Sequence, residues 1–117
     1  MSQAEHDRRI DYVEFPTTNM TEMKRFYSGV FGWEFTDYGP DYASFHDGRI
    51  GGGFSAERNP AEGGLLIVLY GANLEAIEAS VTEHGGQIVR ETFEFPGGRR
   101  FHFLDPSRNE LAVWSDR

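Results

Sequence analysis

The sequence states one pattern twice. An offset of 54 residues sets Asn19 against Asn73, Met20 against Leu74, Met23 against Ile77, Tyr27 against Val81 and Gly32 against Gly86. The matched residues are a capping asparagine, three apolar positions at helical spacing and a glycine stop, which together mark one helix in each half. A repeated unit of this size cannot bury its apolar face alone, so the two copies are expected to pair.

Each copy reads β-α-β-β-β. In the first, RIDYVEFP (9–16) has strand character. The helix follows over 19–32, with Asn19 as N-cap and Glu22 completing a capping-box-like pair. WEFTDY (33–38), YASFHD (42–47) and RIGGGFSA (49–56) are three short strands. The second copy repeats this order: a strand over 64–70, a helix over 73–86, then strands over 87–95, 99–104 and 110–115. Pro-Gly-Gly and Asp-Pro-Ser-Arg-Asn supply the turns. The expected organisation is a charged arm (1–8) and a single α+β domain (9–117). The domain holds module one (9–57) and module two (63–116).

Bulk properties narrow the partners. A length of 117 residues is one domain, and it can bury a core without staples. A net charge of −8 argues against nucleic acid, which needs a basic patch to displace counterions. The longest apolar run, LLIVLY (65–70), is too short to span a bilayer, so no membrane partner is expected. The opening MSQAEHDRRI has no apolar segment of the secretory kind, and the chain has no cysteine. A cytoplasmic location is therefore expected, and thiolate metal sites and disulfides are excluded. The ten phenylalanines suit either an aromatic core or a cavity for a flat or apolar ligand.

Three elements carry a family resemblance: FYSGVFGWEF (26–35), EHGGQIV (83–89) and FLDPSRNEL (103–111). With them the chain resembles the vicinal oxygen chelate superfamily, which includes glyoxalase I, bleomycin-resistance proteins and extradiol dioxygenases, over residues 9–116. The resemblance implies two βαβββ modules pairing into a half-barrel cup, and frequent homodimers. In metal-dependent members it also implies four ligands. A His or Gln lies on the first strand of each half and a Glu near the last, and they hold a divalent ion that polarises vicinal oxygens. Counting from the helix-ending glycines places the first-strand positions on Tyr12 and on Leu66 or Leu65. Counting from Asp105-Pro106 places one last-strand position on Ala112. The other falls in GGGFSAE, whose interior is glycine and phenylalanine, with Glu57 just beyond. These positions lack good ligands, so no metal and no other cofactor are expected. A relocated set of Glu14, His102 and Glu110 is the alternative.

The expectation is a metal-independent binder or enzyme for an apolar or aromatic small molecule. The alternatives are a metal-dependent lyase or dioxygenase with relocated ligands, and a protein-interaction module with a filled cup. Each candidate residue has a plain structural role beside a functional one. Tyr12 is either a core aromatic or a hydrogen-bonding and stacking face for ligand. Glu14 is either a rim carboxylate paired to arginine or, desolvated, a general base. His102 is either a half-exposed strand residue or a proton shuttle. Glu110 is either a solvated strand start or a ligand contact. Trp114 is either plain core or the floor of a pocket. Arg100 shares the face of His102 and is a candidate ligand contact. His46 and His84 read as surface and helix-end residues, and His6 carries no signal. GRIGGGF (48–54) lacks the Gly-Lys-Ser/Thr of a phosphate loop, so it reads as a kinked or bulged strand at a module or subunit junction.

Overall fold

The structure is a computed structural model that describes residues 3–59 and 63–117. After a 3-10 turn at Gln3–His6, the chain forms β1 (Ile10–Pro16), α1 (Met20–Phe31), β2 (Glu34–Asp37), β3 (Tyr42–His46) and β4 (Gly51–Ser55). Then come β5 (Leu66–Tyr70), α2 (Leu74–Glu83), β6 (Gln87–Phe95), β7 (Gly98–Leu104) and β8 (Glu110–Ser115). This is βαβββ twice, the α+β class that the repeat implies. The chain forms two compact units: Tyr12–Leu66, and Met1–Asp11 with Ile67–Arg117.

In the 12–66 unit the strands lie in the order β2-β3-β4-β1, and β1 runs parallel to β4. In the other unit the order is β6-β7-β8-β5, and β5 runs parallel to β8. First and last strands can be parallel neighbours because a helix carries the chain back along the sheet. The remaining pairs, β2–β3, β3–β4, β6–β7 and β7–β8, are antiparallel hairpins.

Local chemistry sets the helix ends. The Asn19 side chain accepts from the Glu22 N–H at 3.0 Å, and Asn73 does the same for Ala76 at 3.1 Å. The reciprocal half of the expected capping box is absent at α1. The Asn19 N–H goes to Thr17 Oγ1, and the Glu22 carboxylate turns to Arg25 one turn along the helix. Gly32 ends α1 at φ 72°, a left-handed conformation that glycine adopts without strain, and its N–H closes on Ser28 O.

Each sheet has one face under its helix. In the 12–66 unit, Phe15 packs edge-on against Tyr27, Trp33, Phe45 and Phe54. Trp33 stacks on Tyr27 and Phe45, at centroid distances of 4.5 and 4.4 Å. In the other unit Leu74, Phe101 and Val113 form the core, with Leu69, Ile77, Val81, Ile88 and Phe103 against it. Strand alternation then turns Tyr12, Glu14 and Tyr42 to the opposite face of one sheet. It turns Arg100, His102, Glu110, Ala112 and Trp114 to the opposite face of the other.

The triple glycine departs from expectation. Gly51–Gly53 form an unbulged strand paired on both sides, with β1 and with β3. Their small size serves the neighbouring side chains. A Cβ at Gly52 would strike the Phe45 ring and the Val13 carbonyl, and one at Gly53 would strike the hydroxyls of Tyr42 and Tyr12. The charged arm is also tied down. Arg8 N–H bonds Tyr70 O, Tyr70 N–H bonds Arg9 O, and Ala72 N–H bonds the Asp7 carboxylate. Among the described residues no helix is long and apolar enough to cross a membrane.

Candidate functional site

The turn between β7 and β8 sets the first cluster. Asp105 accepts through Oδ1 from the N–H groups of Ser107 and Asn109, each at 2.9 Å, and through Oδ2 from the Asn109 side chain. Those bonds, the Asn109 amide first, hold its carboxyl below the usual range. Arg108 takes φ 68° to close the turn. The hairpin then pairs Leu104 with Glu110, His102 with Ala112 and Arg100 with Trp114. Glu110 therefore lies diagonally across from His102 on the same face, within reach of a long side chain.

The reach is made. His102 Nδ1 lies 2.9 Å from Glu110 Oε2. Glu110 is half exposed, whereas His102 is only 4% exposed, not the half-exposed residue expected from strand position. The small Ala112 stands opposite it across the hairpin, and the Phe93 ring lies 5.8 Å from the imidazole. Burial is the main force on the imidazole, and it holds the pKa below the usual 6.5; Arg100 and Arg90 push the same way, while Glu110 opposes. A neutral imidazole facing a carboxylate carries its proton on Nδ1. That leaves Nε2 as an acceptor, buried and with no hydrogen-bond partner among the described residues.

Around this pair the face is aromatic and cationic. Arg90 lies over the Phe93 ring at 3.7 Å, and Arg100 stands 5.4 Å from the same ring. The β6–β7 register shifts between Ile88 and Arg90 and again between Arg90 and Phe93. Trp114 donates from Nε1 to Asp11 Oδ2 at 2.9 Å and meets Tyr70 edge-on, with Phe95 nearby. Trp114 is thus fixed at its polar end with its ring on the His102 face.

The second cluster belongs to the 12–66 unit. Glu14 is 2% exposed, buried rather than at a rim. Tyr42 donates to its Oε2 at 3.0 Å, and Arg58 Nη1 stands 4.0 Å from Oε1. Tyr12 and Tyr42 share a 2.6 Å hydroxyl contact. Since the Tyr42 proton goes to Glu14, Tyr12 is the donor to Tyr42, and the chain runs Tyr12 to Tyr42 to Glu14. Burial, then the Glu14 charge, pushes the Tyr42 phenol far up and keeps it protonated. Arg58 also donates to Gly64 O at 2.9 Å.

Six residues were singled out from sequence, and the structure groups them unit by unit. His102 and Glu110 meet directly, with Arg100 and Trp114 on their face. Tyr12 and Glu14 are joined through Tyr42. Tyr42, Arg58 and Phe93 were not anticipated. The Tyr42 role had one visible signal, a tyrosine alternating along a strand beside a run of glycines that leaves room for its ring.

The positions that the family resemblance assigns to metal ligands can now be set by register. Tyr12 and Leu66 are the first-strand residues. Gly53 sits opposite Glu14 as Ala112 sits opposite Val68, which makes them equivalent last-strand residues. Tyrosine, leucine, glycine and alanine offer neither imidazole nor carboxylate, and the one hydroxyl is already bonded to Tyr42. These residues do not fit a divalent ion.

Comparisons with known proteins place the fold. The model of the Glyoxalase/Bleomycin resistance protein/Dioxygenase superfamily matches residues 9–113. A superfamily member from Vibrio splendidus is 14% identical, with a TM-score of 0.70, over 92% of this chain and 97% of that one. Methylmalonyl-CoA epimerase from Mycobacterium tuberculosis is 11% identical, with a TM-score of 0.70, over 91% and 86%. The Mn(II)-bound glyoxalase from Novosphingobium aromaticivorans is 24% identical, also at 0.70; the match covers 95% of this chain but 40% of that one. At these identities the likeness concerns the fold alone. Curated protein sequences give no match.

Proposed function

Starting from the fact that the chain belongs to the glyoxalase/bleomycin resistance protein/dioxygenase superfamily, we propose that it binds a small organic molecule and moves a proton on it through His102, without the divalent ion of metal-dependent members. The fold selects no reaction, since relatives that share it are named glyoxalase, epimerase and dioxygenase. Any reaction must come from the residues of the site.

One observation supports this reading above the others: a buried imidazole with one nitrogen held by a carboxylate and the other without a hydrogen-bond partner among the described residues. In such a pair the carboxylate orients the ring and stabilises the imidazolium that forms when the free nitrogen takes a proton. His102 is then the base, Glu110 the residue that positions it, and Trp114 with Phe93 the aromatic surface for the ligand body. Arg100 and Arg90 put positive charge where the ligand's negative charge develops. Glu14 and Tyr12, joined through Tyr42, form a second polar set on their own sheet, a proposed ligand contact.

A thermal-shift screen of small aromatic compounds tests this. The expected hits raise Tm with chelator present and lose that effect in His102→Phe and Trp114→Ala. Hits that need added metal, or that ignore both substitutions, would contradict it.

We also propose a homodimer. Phe26, Val30 and Phe31 on α1 are each more than half exposed, an apolar strip that an isolated acidic chain would leave in water.

A further inference from the structure

We infer that the ligand group meeting His102 is a hydrogen-bond donor, a hydroxyl or N–H on an aromatic body, and that Glu110 sets this polarity. The inference rests on the reading above that a small molecule binds this face. It adds which half of the ligand's polar chemistry the site accepts.

A carboxylate has no proton to give, so the 2.9 Å contact between Glu110 and His102 Nδ1 requires the proton on Nδ1. Tautomer choice at one ring nitrogen fixes the role of the other. Nε2 therefore presents a lone pair. It is buried and has no hydrogen-bond partner among the described residues, and a buried polar atom in that state costs free energy until something donates to it. A ligand carbonyl or ether oxygen would add a second lone pair against the first. A hydroxyl or N–H would satisfy it.

The surroundings favour the same class. Phe93, tilted 37° to the imidazole, and Trp114 offer flat apolar surface, so an aromatic body suits the face. Arg90 and Arg100 flank Phe93 and would stabilise a negative oxygen if the proton crosses fully. In that event the ligand O–H bond breaks and the Nε2–H bond forms. The negative charge stays on the ligand oxygen and the positive charge on the imidazolium bonded to Glu110. Phe93 lies beside the imidazole, on a segment of β6 that is irregular against β7. Register shifts of this kind are a recurrent way to re-aim a side chain beside a site.

The test compares 4-methylphenol with 4-methylanisole, its methyl ether, by calorimetric titration of the full chain in chelator at pH 7, where the phenol keeps its proton. The two differ in the donor and in one methyl group. The expected result is at least about tenfold tighter binding of the phenol, the size of one hydrogen bond to an otherwise unpaired group. In Glu110→Gln the amide can donate to Nδ1 and move the ring proton to Nε2, so the phenol preference should shrink or reverse. Equal binding of both probes to the unmodified protein would overturn the donor inference while leaving an aromatic site standing. A phenol preference unchanged in Glu110→Gln would overturn the role of Glu110. Binding of neither probe would overturn this inference and the proposed function together. The wild-type comparison does not depend on any variant folding.

Discussion

His102 concentrates the chemistry of single residues. Burial holds its pKa below the usual 6.5 in the folded chain, so near neutrality it is neutral. Unfolded, it would take up a proton near 6.5; folded, it resists until lower pH. The unfolded state thus binds more protons as pH falls below 6.5, and folding stability drops in that window. Urea denaturation of the unmodified chain and of His102→Gln from pH 7.5 to 5 should show the shallower acid loss in the variant. Parallel slopes would mean that His102 titrates as it does in water. Nitrogen NMR of the imidazole should report a midpoint below 6.5, with the proton on Nδ1 at neutral pH. Glu110→Gln should lower the midpoint further, because Glu110 is the group that raises it.

Elements show why those residues are where they are. The central strand β4 works because it is nearly side-chain-free: Gly52 admits the Phe45 ring and Gly53 admits the hydroxyls of Tyr42 and Tyr12. Gly53→Ala should therefore cost about 1–3 kcal/mol in urea denaturation, the usual range for overpacking, and combining it with Tyr42→Ala should recover part of the loss. No loss would mean that the strand shifts freely. Phe54, fully buried between Phe15, Phe35, Phe45 and Tyr27, should cost about 3–5 kcal/mol when cut to alanine. Elements were the legible scale in the sequence. Asn19, Asn73 and Gly32 announced the helix ends, and helical spacing with period-two alternation announced helices and strands. What pairing does across a sheet was not legible. The glycine run read as a kink because sequence alone does not say that a tyrosine and a phenylalanine cross it from the next strand. His102 read as half exposed because the placement of Phe93 beside it depends on the β6–β7 register. That Glu110 reaches Nδ1 follows from a diagonal across a hairpin, which alternation hints at and register decides.

For the whole molecule, the 54-residue repeat has become two units with the same strand order and a parallel first–last pair, the duplicated βαβββ of its superfamily. Duplication also makes the ligand positions comparable: Tyr12 with Leu66, Gly53 with Ala112. Both copies lack imidazole and carboxylate there, so the departure from the metal-dependent pattern is not confined to one half. The proposed dimer belongs to this scale as well. Light scattering of the unmodified chain should give twice the mass of one chain, and Phe31→Glu, placing charge in the α1 strip, should shift it toward one. A monomeric unmodified chain would contradict the proposal. We propose that this chain works without a divalent ion. The most direct measurement is calorimetric titration of chelator-stripped protein with Ni²⁺, Zn²⁺, Mn²⁺ and anaerobic Fe²⁺. No stoichiometric binding is expected even at millimolar metal. Stoichiometric binding at micromolar metal, abolished by Glu110→Ala, would contradict it and make His102 and Glu110 metal ligands instead.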